Sequence, residues 1–189
     1  MTASAARSRA LLLRITYLRM ALVPVVMALV LVGERVANAY IWAAALFVIA
    51  AGTDFADGYL ARRWAVTTAL GSFLDTTADK LLVSGSLVAL VAVQRASAWV
   101  AAIIIGRELV ILGLRGVVAS DGNMMAPSFW GKLKANVQFV AIALAMVRVP
   151  VHAGPLFVDE WVMLAAAAIT IASAWDYLSQ WAGVLSSRS

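Results

Sequence analysis

The chain alternates long apolar runs with short polar breaks, and the runs are all of similar length. They cover residues 15–32, 40–63, 70–93, 98–119, 130–149 and 160–184. About 20 apolar residues at the helical rise of about 1.5 Å per residue cross a bilayer core of roughly 30 Å. The pattern therefore predicts six transmembrane helices. The breaks at 33–38, 94–97, 120–127 and 150–155 carry turn-forming residues or proline. Pro24 falls inside the first run and predicts at most a kink, which membrane helices tolerate. Residues 1–14 carry Arg7, Arg9 and Arg14 and read as a short basic amphipathic helix at the membrane surface. A signal peptide is the alternative there. It is disfavoured because no small-residue cleavage site is clear and five more apolar runs follow.

The expected architecture is an all-α integral membrane protein. A basic N-terminal segment, 1–14, precedes one six-helix transmembrane domain, 15–185. Composition supports this: 63% of the 189 residues are hydrophobic, against about 45–50% in soluble domains. There is no cysteine, which excludes disulfides, thiolate metal sites and a cysteine nucleophile. The single histidine, His152, excludes a His-rich zinc site.

The net charge of +5 acquires a place once the spans are drawn. With the N-terminus inside, the inner side receives Arg7, Arg9, Arg14, Arg19, Arg62, Arg63, Lys80, Arg107, Arg115, Lys132, Lys134 and Arg188. The outer side receives Arg35, Arg95 and Arg148, with the acids Glu34, Asp159 and Glu160. That asymmetry follows the positive-inside rule and puts both termini in the cytoplasm. The positive charge then faces anionic lipid and anionic solutes. No basic domain stands clear of the membrane, so nucleic acid is not an expected partner.

Four carboxylates break the apolar pattern. Asp54, Asp57, Asp75 and Asp79 fall within 26 residues of a chain that has ten acids in all. Charges at bilayer depth are costly and point to function. Asp54 and Asp57 are i,i+3; Asp75 and Asp79 are i,i+4, so each pair shares a helix face. Counted from the cytoplasmic helix ends, both pairs lie roughly 7–15 Å deep. Four such anions need a compensating cation. Carboxylate oxygens without Cys or His favour Mg²⁺, Mn²⁺ or Ca²⁺, and two ions sharing four acids suit phosphoryl displacement. Ion pairing with Arg62, Lys80 or Arg107 is the structural alternative. Gly58 costs about 1 kcal/mol in a helix relative to Ala, so a bare backbone beside these acids suggests close approach by a ligand, or by another helix. Ala61, one turn on, keeps the same wall low.

The full pattern, Asp54-x-x-Asp57-Gly58-x-x-Ala61-Arg62-x8-Gly71-x-x-x-Asp75-x-x-x-Asp79, resembles the signature of the CDP-alcohol phosphotransferases at every fixed position. Thr16-x-x-Arg19 is similar to that family's first-helix pattern. The second half resembles one branch, the phosphatidylglycerophosphate synthases. The similar stretches are Ala78-Asp79-Lys80-Leu-Leu-Val, Gly106-Arg107-Glu108-Leu-Val-Ile, Leu114-Arg115 and Gly131-Lys132-Leu-Lys134. Two positions depart from it: Thr76 stands where the branch often has Pro, and Ala135 where it often has Thr.

The resemblance implies the family's fold and transfer of a phosphatidyl group from CDP-diacylglycerol to glycerol 3-phosphate, with release of CMP. It implies two divalent cations, Mg²⁺ or Mn²⁺, held by Asp54, Asp57, Asp75 and Asp79, with Asp79 also acting as general base. It places Gly58, Ala61, Arg62, Gly71, Thr16 and Arg19 at the CDP-lipid. It further implies a homodimer in the bacterial plasma membrane, with the site facing the cytoplasm among membrane lipids. The cations Arg107, Arg115, Lys132 and Lys134 are candidates for the acceptor phosphate; plain positive-inside anchoring, or pairing of Arg107 with Glu108, is the alternative. Asp176 receives no role, and with Tyr177 it suits a helix–helix or dimer contact. Rival acceptors are phosphatidylglycerol, as in a cardiolipin synthase, and inositol phosphate. A divalent-cation transporter is the rival of another class, and it leaves Gly58, Ala61 and Arg62 unexplained.

Overall fold

The computed structural model describes the backbone of residues 3–64, 69–120 and 129–186, and the side chains of 10, 12–53, 71–119, 129–131 and 133–179. Its described elements are six long helices and one two-residue hairpin: α1 Ala3–Leu31, α2 Ala39–Trp64, α3 Ala69–Ala92, α4 Ala98–Ser120, α5 Phe129–Val147, β1 His152–Ala153, β2 Leu156–Phe157 and α6 Val158–Ser186. Each predicted span corresponds to one helix. The expected junction between a surface helix and the first span is not a break: α1 runs continuously from Ala3 through Pro24 to Leu31. The turn-forming stretch at 120–127 lies, from residue 121, outside the described residues.

Two helical stretches among the described residues are long and apolar enough to cross a membrane, Leu12–Leu31 and Val158–Ser179. A shorter apolar stretch is Ala39–Thr53. The remaining helices are interrupted by the charges singled out above: Asp75, Asp79 and Lys80 on α3, Arg107, Glu108 and Arg115 on α4, Lys132 and Lys134 on α5. Large apolar side chains are nonetheless exposed on every helix, among them Leu18, Trp42, Phe73, Trp99, Phe129 and Trp175. Apolar surface on this scale marks a protein that meets lipid or partners rather than water alone.

The chain forms two compact units, residues 1–94 and 95–189. In the first, α1 packs on both α2 and α3, while α2 and α3 touch only sparingly among the described residues. Among the described residues, α1 is the helix that α2 and α3 share. Val26 and Val30 of α1 meet a core that includes Phe47 of α2 and Leu82, Leu87 and Leu90 of α3, all buried. Gly85 permits the α1–α3 approach. A Cβ there would lie 2.9 Å from both Met27 Sδ and Val23 Cγ1, too close for either to stay in place.

In the second unit α6 packs on α4 and α5. Gln138 Nε2 on α5 donates to Thr170 Oγ1 on α6 at 2.8 Å, and Thr170 Oγ1 donates to Ala166 O at 2.6 Å. The end of α5 is closed by charged side chains. Arg148 adopts φ 46°, the left-handed conformation common just past a helix. Arg95 donates from Nη1 to Met146 O at 2.6 Å, satisfying a carbonyl left open by the end of the helix. The proline break at 150–155 holds the hairpin, with His152 opposite Phe157 and Ala153 opposite Leu156. Gly154 makes its turn at φ 70°.

Candidate functional site

The motif acids sit on α2 and α3 of the first unit. Asp54, Asp57, Gly58, Ala61 and Arg62 lie on the final turns of α2, and their side chains fall outside the described residues. Gly71 is in the first turn of α3 and half-buried. Asp75 and Asp79 follow on the same helix, one turn apart and both half-buried.

Each of these two carboxylates meets a cation of the chain. Arg19, reaching from α1, donates from Nη1 to Asp75 Oδ1 at 3.0 Å. Lys80 Nζ lies 2.7 Å from Asp79 Oδ2. Part of the structural alternative is therefore realised, with Arg19 as an unforeseen partner. Thr16, also expected at the CDP-lipid, is buried, and its hydroxyl donates to Leu12 O at 3.1 Å within α1. Among the described residues no three acidic or histidine side chains come together as a metal centre. The described pair still suits a hard divalent cation. It offers only carboxylate oxygens, one turn apart on one face, with the Asp75 side chain 35% exposed and so reachable.

The basic residues of the second unit form a chain of contacts across α4, α5 and α6. Arg107 donates from Nη2 to Ser173 Oγ at 2.7 Å and lies 3.5 Å from Glu108 Oε1. Lys134 donates to the same Glu108 oxygen. Arg115 donates from Nη2 to Tyr177 Oη at 2.8 Å. The guanidinium carbons of Arg107 and Arg115 each lie 5.4 Å from the Tyr177 ring centroid, within cation–π range. Three of the four cations expected at the acceptor phosphate are thus gathered. Lys132 lies on α5, with its side chain outside the described residues. Lys134 is buried rather than a surface anchor.

Ser173 and Tyr177 are additions that the sequence reading gave no role in phosphate binding, and Glu108 entered it only as a partner for Arg107. All three are buried polar groups on apolar helices, a signal available from the sequence for Glu108 but weak for a serine or tyrosine.

Comparison with known proteins decides the family. The family model for CDP-alcohol phosphatidyltransferases matches residues 13–178. The chain belongs to that family. The match runs from within α1 to within α6 and includes both clusters just described. A CDP-diacylglycerol–glycerol-3-phosphate 3-phosphatidyltransferase of Bacillus subtilis is 38% identical to it, over 88% of this chain and 92% of the relative. A protein of Mycobacterium tuberculosis named as a probable phosphatidylglycerophosphate synthase is 38% identical over 88% of this chain and 78% of its own length. A Pseudomonas fluorescens member, named like the Bacillus protein, is 35% identical over 87% and 86%.

Proposed function

We propose that this chain transfers the phosphatidyl group of CDP-diacylglycerol to glycerol 3-phosphate, giving phosphatidylglycerophosphate and CMP. The observation that carries this choice of acceptor is the cluster of Arg107, Arg115 and Lys134, tied together through Tyr177 and Glu108. Two guanidinium groups held on one ring suit a phosphate monoester, which carries about two negative charges near neutral pH. The names of the relatives support the same acceptor.

In this reading Arg107, Arg115 and Lys132 bind the acceptor phosphate, and Lys134 stays paired with Glu108, which it shares with Arg107. Gly58 and Ala61 leave room for the nucleotide, Gly71 opens the third helix beside it, and Arg62 grips a donor phosphate in bidentate fashion. Asp79 takes the proton of the attacking hydroxyl. The hydroxyl oxygen bonds to the phosphatidyl phosphorus as the bond to CMP breaks, and CMP leaves with the electron pair. Mg²⁺ or Mn²⁺ held by Asp54, Asp57, Asp75 and Asp79 would supply charge neutralisation at the diphosphate. All six helices span the membrane, both termini and the site face the cytoplasm, and the working form in a bacterial plasma membrane is a homodimer.

The deciding experiment incubates purified protein with CDP-diacylglycerol, Mg²⁺ or Mn²⁺, and one acceptor at a time, and measures CMP release. Release with glycerol 3-phosphate is expected. Release with phosphatidylglycerol or inositol phosphate alone would overturn the acceptor, and none with any acceptor would sink the transferase reading.

A further inference from the structure

We infer that Arg19 is a positioning residue for Asp75: a fixed counter-charge that holds its carboxylate and competes with a divalent cation for it. The inference rests on the reading of Asp75 as a metal ligand. Arg19 and Asp75 are 56 residues apart in sequence and meet only because α1 packs on α3, with Nη1 3.0 Å from Oδ1. The two ends of this pair differ in exposure. The Arg19 side chain is 1% exposed and Asp75 is 35% exposed. A buried guanidinium cannot shed its partner without a large desolvation cost, so Arg19 stays in place. The carboxylate can be approached from outside while its buried neighbour cannot leave.

Lys80 makes the contrast. It also touches a motif acid, Asp79, but its side chain is 25% exposed and ends a flexible four-carbon stem. It can turn toward water when a cation arrives. Arg19 and a bound dication would instead face one another across a single carboxylate, and each must weaken the other's hold by the same factor. Arg19 therefore stabilises the metal-free helices and keeps the cation exchangeable. This departs from the expected place of Arg19 at the CDP-lipid.

The test needs no turnover. Full-length protein in detergent is titrated with Mn²⁺, with the free ion followed by electron paramagnetic resonance. Arg19→Gln should bind Mn²⁺ about fivefold tighter or more, while Arg19→Lys, which keeps the charge, should stay near wild type. Equal or weaker binding by Arg19→Gln overturns the assignment, as does equal tightening by both variants. Thermal unfolding in chelator supplies a second measurement that needs no metal. Asp75→Asn and Arg19→Gln,Asp75→Asn complete the cycle, and the double variant should lose less stability than the two single losses added. Additive losses overturn the assignment. A wild-type protein that binds no Mn²⁺ removes the metal reading and this role together, whereas a wrong acceptor in the CMP assay leaves both untouched.

Discussion

Lys134 on α5 and Glu108 on α4 form an ion pair sealed from solvent, at 3% and 2% exposure. Arg107 shares the same carboxylate oxygen at 3.5 Å. Removing one partner of a buried pair leaves an uncompensated charge at a cost of about 3–5 kcal/mol. Glu108→Leu should therefore lower the unfolding free energy by that order, and Glu108→Leu,Lys134→Met should recover much of it. Thermal or denaturant unfolding in detergent checks both. A double variant as unstable as Glu108→Leu would show that the pair is not the source of the loss.

The acceptor assignment predicts a split in kinetics. Arg107→Ala and Arg115→Ala each remove charged hydrogen-bond donors worth about 1.5–3 kcal/mol. The KM for glycerol 3-phosphate should rise by about tenfold or more in each, with the KM for CDP-diacylglycerol unchanged. Steady-state rates with each substrate varied in turn distinguish this from a general loss of activity.

Asp79→Asn keeps the shape of the side chain and removes its capacity to take a proton. The chemical step should slow by about 10²–10⁴-fold, while CDP-diacylglycerol binding remains measurable. Lys80→Met, which removes the cation 2.7 Å from Asp79 Oδ2, should cost far less. Single-turnover CMP release and equilibrium binding of the donor separate the two effects. Full activity in Asp79→Asn would remove it as the base.

Packing between α1 and α3 gives a test independent of chemistry. Gly85→Ala gains about 1 kcal/mol of helix propensity, but it drives a methyl group against the stiff Val23 side chain. Overpacking costs about 1–3 kcal/mol, so a net loss of about 1 kcal/mol is expected and Gly85→Leu should lose more. Gly113→Ala meets no atom within 4 Å and should be neutral or stabilising. Unfolding midpoints of the three variants decide it.

The helices were legible because hydrophobic runs of span length leave few alternatives. The turn at 94–97 shows how closely: α3 ends at Ala92, α4 starts at Ala98, and Gln94 takes φ 56° between them. The hairpin at 152–157 escaped notice because two-residue strands give no alternation to read. In the site, the i,i+4 spacing of Asp75 and Asp79 placed them on one face from sequence alone. Their partners behave differently. Arg19 lies 56 residues from Asp75, and Tyr177 lies 62 from Arg115. Such contacts are fixed by how helices pack and leave no local pattern. Arg107 and Glu108 illustrate the converse. Adjacent helix positions point apart, yet long side chains bring them to 3.5 Å with Lys134 closing the group.

The closed end of α5 has a bearing on how such a chain is inserted. Arg95 is committed to the carbonyls of Ala145 and Met146, and Arg148 lies against Asp159 at 3.6 Å and Glu160 at 3.2 Å. In the proposed orientation these are two of the three arginines on the outer side. Once folded, neither presents a naked charge there. Arg148 is matched by two carboxylates, and the charge of Arg95 is held against the open end of a helix, where backbone carbonyls favour a cation. In that orientation, turning this end back through the membrane would first require breaking these contacts.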